Sequence, residues 1–186
     1  KSMLEKQNMM GILNVAKGSI QSPFLIEAHY KGNKSKKINS IIIGKGVTFD
    51  SGGISIKPSR GMANMKADMG GAAVALASFL SLVEQKTTKN ISLLLPIVEN
   101  MPSGEALKPG DVISSYSKKT IEIINTDAEG RLILADCLAY ASDKKPNEII
   151  DIATLTGACS IALGDQASAI LGTNNAHIKR MIEIGE

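Results

Sequence analysis

The sequence has no tryptophan, and its three phenylalanines and three tyrosines bring aromatic residues to 3% of 186 positions. A core without many large rings must be built from Ile, Leu, Ala and Met, and at 44% hydrophobic residues the chain can fill one good core. Cysteine is nearly absent. Cys137 and Cys159 stand in apolar settings without C-x-x-C spacing, which points to reduced thiols used as small core residues in a reducing compartment. A surplus of one charge is also missing. The net charge is +3 with the lysines dispersed, so nucleic acid is not an expected partner; the basic cluster at 31–37, set among Gly, Asn and Ser, reads as a solvated hairpin tip. Long apolar runs are lacking as well: the longest are strand length, so no membrane span is expected. Residues 1–10 mix charges with methionines and show neither a continuous apolar stretch nor a cleavage site, so a signal peptide is not expected.

A phosphate loop is the last absence. The segment 44–53 carries four glycines after an apolar run, but it contains no G-x-x-x-x-G-K-[ST], and G-x-G-x-x-G fails at Phe49. Nucleotide binding is disfavoured; what remains is a loop able to present Lys45 and Asp50.

What is present alternates between strand-like and helix-like runs. Residues 3–17 read as the end of a helix, 23–30 and 38–44 as two strands joined as a hairpin through 32–37, with Ile41-Ile42-Ile43 a buried central strand. From 44 to 60 the periodicity is lost. Met65, Met69, Ala72, Leu76, Phe79, Leu80 and Val83 form a helical stripe over 63–84, with Asp68 in its early turns beside Gly70 and Gly71. A second buried strand covers 91–98, a long surface loop 100–111, a helix 132–141 and a third buried strand 148–154. Residues 168–171 suit a short strand and 175–184 a last helix. This order predicts the α/β class: a three-layer α/β/α sandwich around a mixed, largely parallel sheet, without repeats or linkers.

Asn125-Thr126-Asp127-Ala128-Glu129-Gly130-Arg131 organises the rest. It places two carboxylates and a guanidinium between an apolar run, 120–124, and a helix, where open α/β sheets carry chemistry. Thr126-x-x-Glu129 is also a capping box, with Asp127 suited to the positive helix end. Gly130 disfavours the cap, since glycine in a first turn costs about 1 kcal/mol against alanine, and suggests a close backbone approach to a ligand. Strand ends then offer Lys45 and Asp50, Asp127 with Glu129 and Arg131, and residues 154–157; a helix start offers Asp68. Carboxylates gathered on one edge repel strongly unless cations sit among them, and two divalent metals resolve that conflict. His29 and His177 lie outside every motif and read as structural.

The segments 44–53, Lys57, 66–71, 125–131 and 153–157 together resemble the leucyl (cytosol) aminopeptidases, a dimetal family with the signature NTDAEGR. The motifs occur in order and span essentially the whole chain. The resemblance implies that Lys45, Asp50, Asp68 and Glu129 hold a tighter metal, and that Asp50, Asp127 and Glu129 hold an exchangeable one, with Asp50 and Glu129 bridging. Zn or Mn would serve, and Co or Mg are compatible. A lysine ligates as the neutral amine, a form that two adjacent dications would favour. The resemblance further implies that Lys57 steadies an oxyanion and that Arg131 holds a bicarbonate acting as general base. Met65, Asn125, Ala128, Thr154, Leu155 and Gly157 would line the pocket for the first side chain of a peptide, whose free amino terminus binds a metal.

Family members carry a further N-terminal domain and a longer catalytic domain, so residues 1–186 are expected to be a partial catalytic domain, poorly active alone. A homo-hexamer is implied for the full-length protein, and a cytoplasmic location. Two rival readings are a magnesium-dependent phosphoryl-transfer enzyme, which lacks its phosphate loop here, and a non-catalytic or regulatory relative, including a DNA-binding one, which would be expected to have lost ligands that are all present.

Overall fold

The computed structural model describes residues 2–186. The chain divides between Thr154 and Leu155 into two units.

The first unit is built on a five-stranded sheet. Its central strand β4, Ile91–Asn100, pairs antiparallel along one edge with β1, Phe24–Tyr30. Along the other edge it pairs in parallel, first with β2, Ser40–Gly44, and then with β3, Gly46–Asp50. The strand β7, Glu148–Ile152, adds in parallel on the far side of β2. A small separate ribbon pairs β5, Val112–Ser114, with β6, Thr120–Glu122.

Alternation along the strands sends side chains into two cores. Ile41, Ile43, Leu94 and Val98 face a layer formed by α2, Met10–Val15, and α4, Glu129–Asp143, through Ile12, Leu132, Ile133 and Cys137. Ile42, Leu93 and Leu95 face α3, Gly70–Glu84, through Ala72, Ala75 and Phe79. Fully burying each such aliphatic side chain contributes about 1.5–3 kcal/mol, so both helical layers are clamped to the strands whose ends they flank. This is the expected α/β/α sandwich with a mixed, largely parallel sheet.

The contact between α3 and the sheet is unusually close for a reason visible in the sequence. A Cβ on Gly44 would lie 2.6 Å from Ala72 Cα, and one on Gly71 would lie 2.2 Å from the Ile152 carbonyl oxygen. The glycines let the first turn of α3 rest on backbone, and Ala72 N–H donates to the Lys45 carbonyl at 2.8 Å. One of the free donors of a helix start is thereby satisfied by the residue between β2 and β3.

Several expectations change. Strands β1 and β2 are not a hairpin, because β4 inserts between them: β4 offers β1 the longer apolar register, with seven paired positions. Residues 46–50 are a strand rather than loop; at the level where β2 gives way to β3, β4 carries Pro96, which has no N–H to donate. The N-terminal helix is two short ones, α1 Ser2–Lys6 and α2, separated where Asn8 adopts φ 55°. The 63–84 helix is a 3₁₀ turn, Met62–Ala67, followed by α3. Met62–Glu84 is also long and apolar enough, by length and composition, to cross a membrane, contrary to the strand-length limit read from the sequence. Here α3 packs on the sheet through its small residues.

In the second unit, α5, Ala158–Leu163, was not expected, and residues 168–171 form no strand. The last helix, α6, Asn175–Gly185, is present, with Asn174 Oδ1 accepting from Ala176 and His177 N–H.

Candidate metal centre

Lys45 stands between β2 and β3, where its N–H still pairs with the Ile152 carbonyl at 2.9 Å while its side chain turns inward. It is 2% exposed. Its Nζ lies 2.9 Å from both oxygens of Asp68 and 2.9 Å from Glu129 Oε1, and donates to the Thr154 carbonyl at 2.8 Å. Taking an ammonium out of water costs several kcal/mol, which this set of oxygens offsets. Asp68 ends the 3₁₀ turn before α3, and the Thr154 hydroxyl donates to its Oδ1 at 2.7 Å.

Asp50 ends β3 and is 2% exposed. Its Oδ1 accepts from Gly52 N–H and from Asn100 Nδ2, each at 2.9 Å, and its Oδ2 lies 2.9 Å from Lys57 Nζ. Lys57 Nζ also pairs with Asp127 Oδ1. Burial acts to lower the Lys57 pKa, but the hydrogen bonds and charges of Asp127 and Asp50 outweigh it and hold the ammonium well above its ordinary value.

Asn125 is the residue that caps the 125–131 segment. Its Oδ1 accepts from Asp127 N–H at 2.8 Å, opening a 3₁₀ turn, Thr126–Ala128, that runs into α4. The Thr126-to-Glu129 capping box does not form. Thr126 Oγ1 instead donates to the Gly52 carbonyl at 2.7 Å and accepts from Ser55 N–H at 2.8 Å, tying this turn to the loop after β3. Glu129 is thereby free to point inward, in the first turn of α4 where the helix dipole favours an anion.

One oxygen from each of Asp50, Asp127 and Glu129 lies within 4.8 Å of the others. Glu129 Oε2 is buried with no hydrogen-bond partner, while Asp68 Oδ2 and Asp127 Oδ1 lack an aligned hydrogen bond but lie against the ammonium groups of Lys45 and Lys57. Burial raises the pKa of Glu129, with Lys45 opposing and Asp50 adding to the rise; burial likewise raises Asp68 against the hydrogen bonds of Lys45 and Thr154. A buried carboxylate oxygen without a donor, facing two other acids, fits a divalent cation: oxygen donors suit Mg or Mn, and an added amine suits Zn or Co.

The fold therefore gathers Lys45, Asp50, Lys57, Asp68, Asp127, Glu129 and Thr154. Met65 is half-buried in the turn before Asp68, and its carbonyl accepts from Asp68 N–H. Ala128 is half-buried between the two acids, and Asn125 is exposed. Arg131, in the first turn of α4, is exposed and pairs with no carboxylate among the described residues. Leu155 and Gly157 are exposed in the second unit. His29 bonds Ser92 and pairs with Glu27, in keeping with a structural role. Gly130 is explained by a neighbour other than a ligand, the Lys45 side chain. The sequence offers Thr126 only as half of a capping box with Glu129 and assigns Asn100 no role; a buried asparagine at the C-terminal end of a parallel strand is the signal that finds the second.

The family model for the cytosol aminopeptidase family, catalytic domain, matches residues 1–186. The chain belongs to this family. A probable cytosol aminopeptidase from Geobacter sulfurreducens is 48% identical and one from Azotobacter vinelandii 51% identical, each over 183 residues. These alignments cover 98% of this chain and 37% of each relative, so the chain spans little more than a third of the cytosol aminopeptidases it matches. Among solved structures, leucine aminopeptidase from Caenorhabditis elegans superposes with a TM-score of 0.94 at 40% identity, covering 99% of this chain and 38% of that one. Leucyl aminopeptidase from Leishmania major in complex with actinonin gives 0.93 at 32% identity, covering 99% and 37%.

Proposed function

We propose that this chain is the metal-holding part of an aminopeptidase that removes N-terminal amino acids, leucine among the preferred ones, from peptides with the help of two divalent ions. The convergence of Asp50, Asp127 and Glu129 within 4.8 Å carries this reading, and membership in the cytosol aminopeptidase family supports it. Lys45, Asp50, Asp68 and Glu129 would hold one ion, and Asp50, Asp127 and Glu129 the other. When bound, such ions polarise a carbonyl and make water a nucleophile near neutral pH.

The chain's own groups supply the rest. Lys57 is fixed by Asp50 and Asp127 and offers a permanent positive charge beside the acids, suited to steadying an oxyanion. Arg131 is exposed and unpaired by carboxylates among the described residues, which leaves it open to an anion such as bicarbonate serving as proton acceptor. Met65, Asn125, Ala128, Thr154, Leu155 and Gly157 would receive the first side chain of the substrate. The family name and the relatives support a cytoplasmic location. The full-length protein would form a homo-hexamer, and residues 1–186 alone would be a partial catalytic domain with little activity.

Calorimetric titration of the chain with Mn²⁺ or Zn²⁺ tests the central claim. Two ions per chain are expected, with binding abolished by Asp50→Ala or Glu129→Ala. Hydrolysis of a leucyl anilide by the full-length protein, without turnover of a phosphate ester, is expected; the reverse pattern would favour phosphoryl transfer, and turnover of neither a regulatory role. An isolated chain as fast as the full-length protein would overturn the partial-domain reading.

A further inference from the structure

Asn100 is the last residue of β4 and stands opposite Asp50 in the register of β3 and β4. It is 4% exposed. Its side-chain Nδ2 donates twice: to Asp50 Oδ1 at 2.9 Å and to the Thr126 carbonyl at 3.0 Å. Both partners are acceptors, so the orientation of the amide is fixed by chemistry. Its backbone carbonyl takes the N–H and hydroxyl of Ser51, at 3.0 and 2.7 Å, which anchors the same strand end from the other side.

We infer that Asn100 is a positioning residue for the metal centre, one amide that sets both the rotation of the Asp50 carboxylate and its separation from the turn that carries Asp127. The inference rests on the metal reading proposed above. With Gly52 N–H and Asn100 on Oδ1, the plane of Asp50 is fixed and Oδ2 is the oxygen presented toward Lys57, whose ammonium also pairs with Asp127. Asp50 would offer Oδ2 to an ion, since Oδ1 is already taken by the Gly52 and Asn100 donors. The second hydrogen of the same amide group holds Thr126, the residue before Asp127. A neutral amide suits this position because it orients a carboxylate without cancelling the charge that a cation needs, as a lysine or arginine there would.

Asn90 provides a control within the same chain. It is 6% exposed and its Nδ2 also makes several hydrogen bonds, to Asn33 Oδ1 and to the Ser35 and Lys37 carbonyls, but these lie in the 33–37 loop at the opposite end of β4. The experiment measures Mn²⁺ affinity by calorimetry for the unsubstituted chain, Asn100→Leu, Asn100→Ala and Asn90→Ala, with circular dichroism confirming that each is folded. Loss of an orienting partner of a metal ligand is expected to weaken Mn²⁺ binding roughly 10–100-fold in the Asn100 variants. Asn90→Ala is expected to lose stability and keep its affinity. Asn100 variants that bind Mn²⁺ as the unsubstituted chain does would overturn the inference alone. So would an equal loss in Asn90→Ala, or failure of both Asn100 variants to fold where Asn90→Ala folds, since the amide would then serve the fold rather than the site. An unsubstituted chain that binds no Mn²⁺ would overturn the metal reading and this inference with it.

Discussion

The Lys45 side chain lies across Gly130: a Cβ on that glycine would stand 2.8 Å from Lys45 Cε, 3.0 Å from Nζ and 3.1 Å from Cδ. The first turn of α4 is thus a floor for a buried ammonium that pairs with Asp68 and Glu129. Gly130→Ala would add about 1 kcal/mol of helix propensity. It would also press on a side chain that has nowhere to go, at a cost of roughly 1–3 kcal/mol. A net loss of stability is expected in denaturant unfolding, whereas Gly104→Ala, whose Cβ meets nothing within 4 Å, should leave the midpoint nearly unchanged.

Gly71 is constrained by backbone rather than by a side chain. Its Cβ would meet the Ile152 carbonyl oxygen at 2.2 Å and Ala153 Cα at 2.9 Å, and neither can swing aside. Gly71→Ala is expected to destabilise more than Gly130→Ala, at or above the upper end of the ~1–3 kcal/mol typical of overpacking. Equal midpoints for the two variants would contradict this ranking.

Asp136 is fully buried, and its two oxygens are used separately: Oδ2 accepts from Ile12 N–H at 3.1 Å and Oδ1 from Tyr116 N–H at 2.8 Å. It pins α2 and the turn between β5 and β6 to α4. In Asp136→Asn one oxygen becomes an NH₂ facing a backbone donor, which costs about 1–3 kcal/mol. Burial pushes the Asp136 carboxyl above its ordinary value, against the hydrogen bonds of Tyr116, Ile12 and Gly11. A raised carboxyl contributes stability that is fully present below the unfolded pKa, about 3.9, and is lost as pH rises through the folded one. The penalty of Asp136→Asn should therefore be largest in acid and shrink as pH rises through that window, as followed by urea midpoints.

Metal binding should appear as stability. A ligand that binds the folded chain alone adds about 2.7 kcal/mol at a hundred times its Kd. Thermal melts are expected to move upward with added Mn²⁺ or Zn²⁺ and to return with a chelator. Asp50→Ala and Glu129→Ala should abolish the shift; a shift that survives in both would place the ions elsewhere.

The two cysteines should differ in reactivity. Cys137 is fully buried in α4, and burial pushes its thiol well up, so little thiolate is available to attack. Cys159 is half-buried in α5. Mass spectrometry after brief treatment with an alkylating reagent is expected to find the label on Cys159, with Cys137 following only under denaturant.

The sequence by itself determined the layers and pointed to an acidic edge. Unbroken Ile and Leu runs at 41–43 and 93–95 can be buried only as central strands with both faces covered. Lys45, Asp50, Asp127 and Glu129 follow strand-like runs and Asp68 opens a helix-like one, so an acidic edge was legible, while the set that would hold metal came from the resemblance of the motifs. The tertiary structure alone decided which strand pairs with which, because hydrogen-bond partners distant in the chain leave no periodicity: β4 displaced the hairpin suggested by the short 32–37 connection. It also decided the function of the small and neutral residues. Gly130 answers to Lys45, Thr126 to the loop after β3, and Asn100 to Asp50, and each such role arises from a contact across the fold that no local pattern encodes.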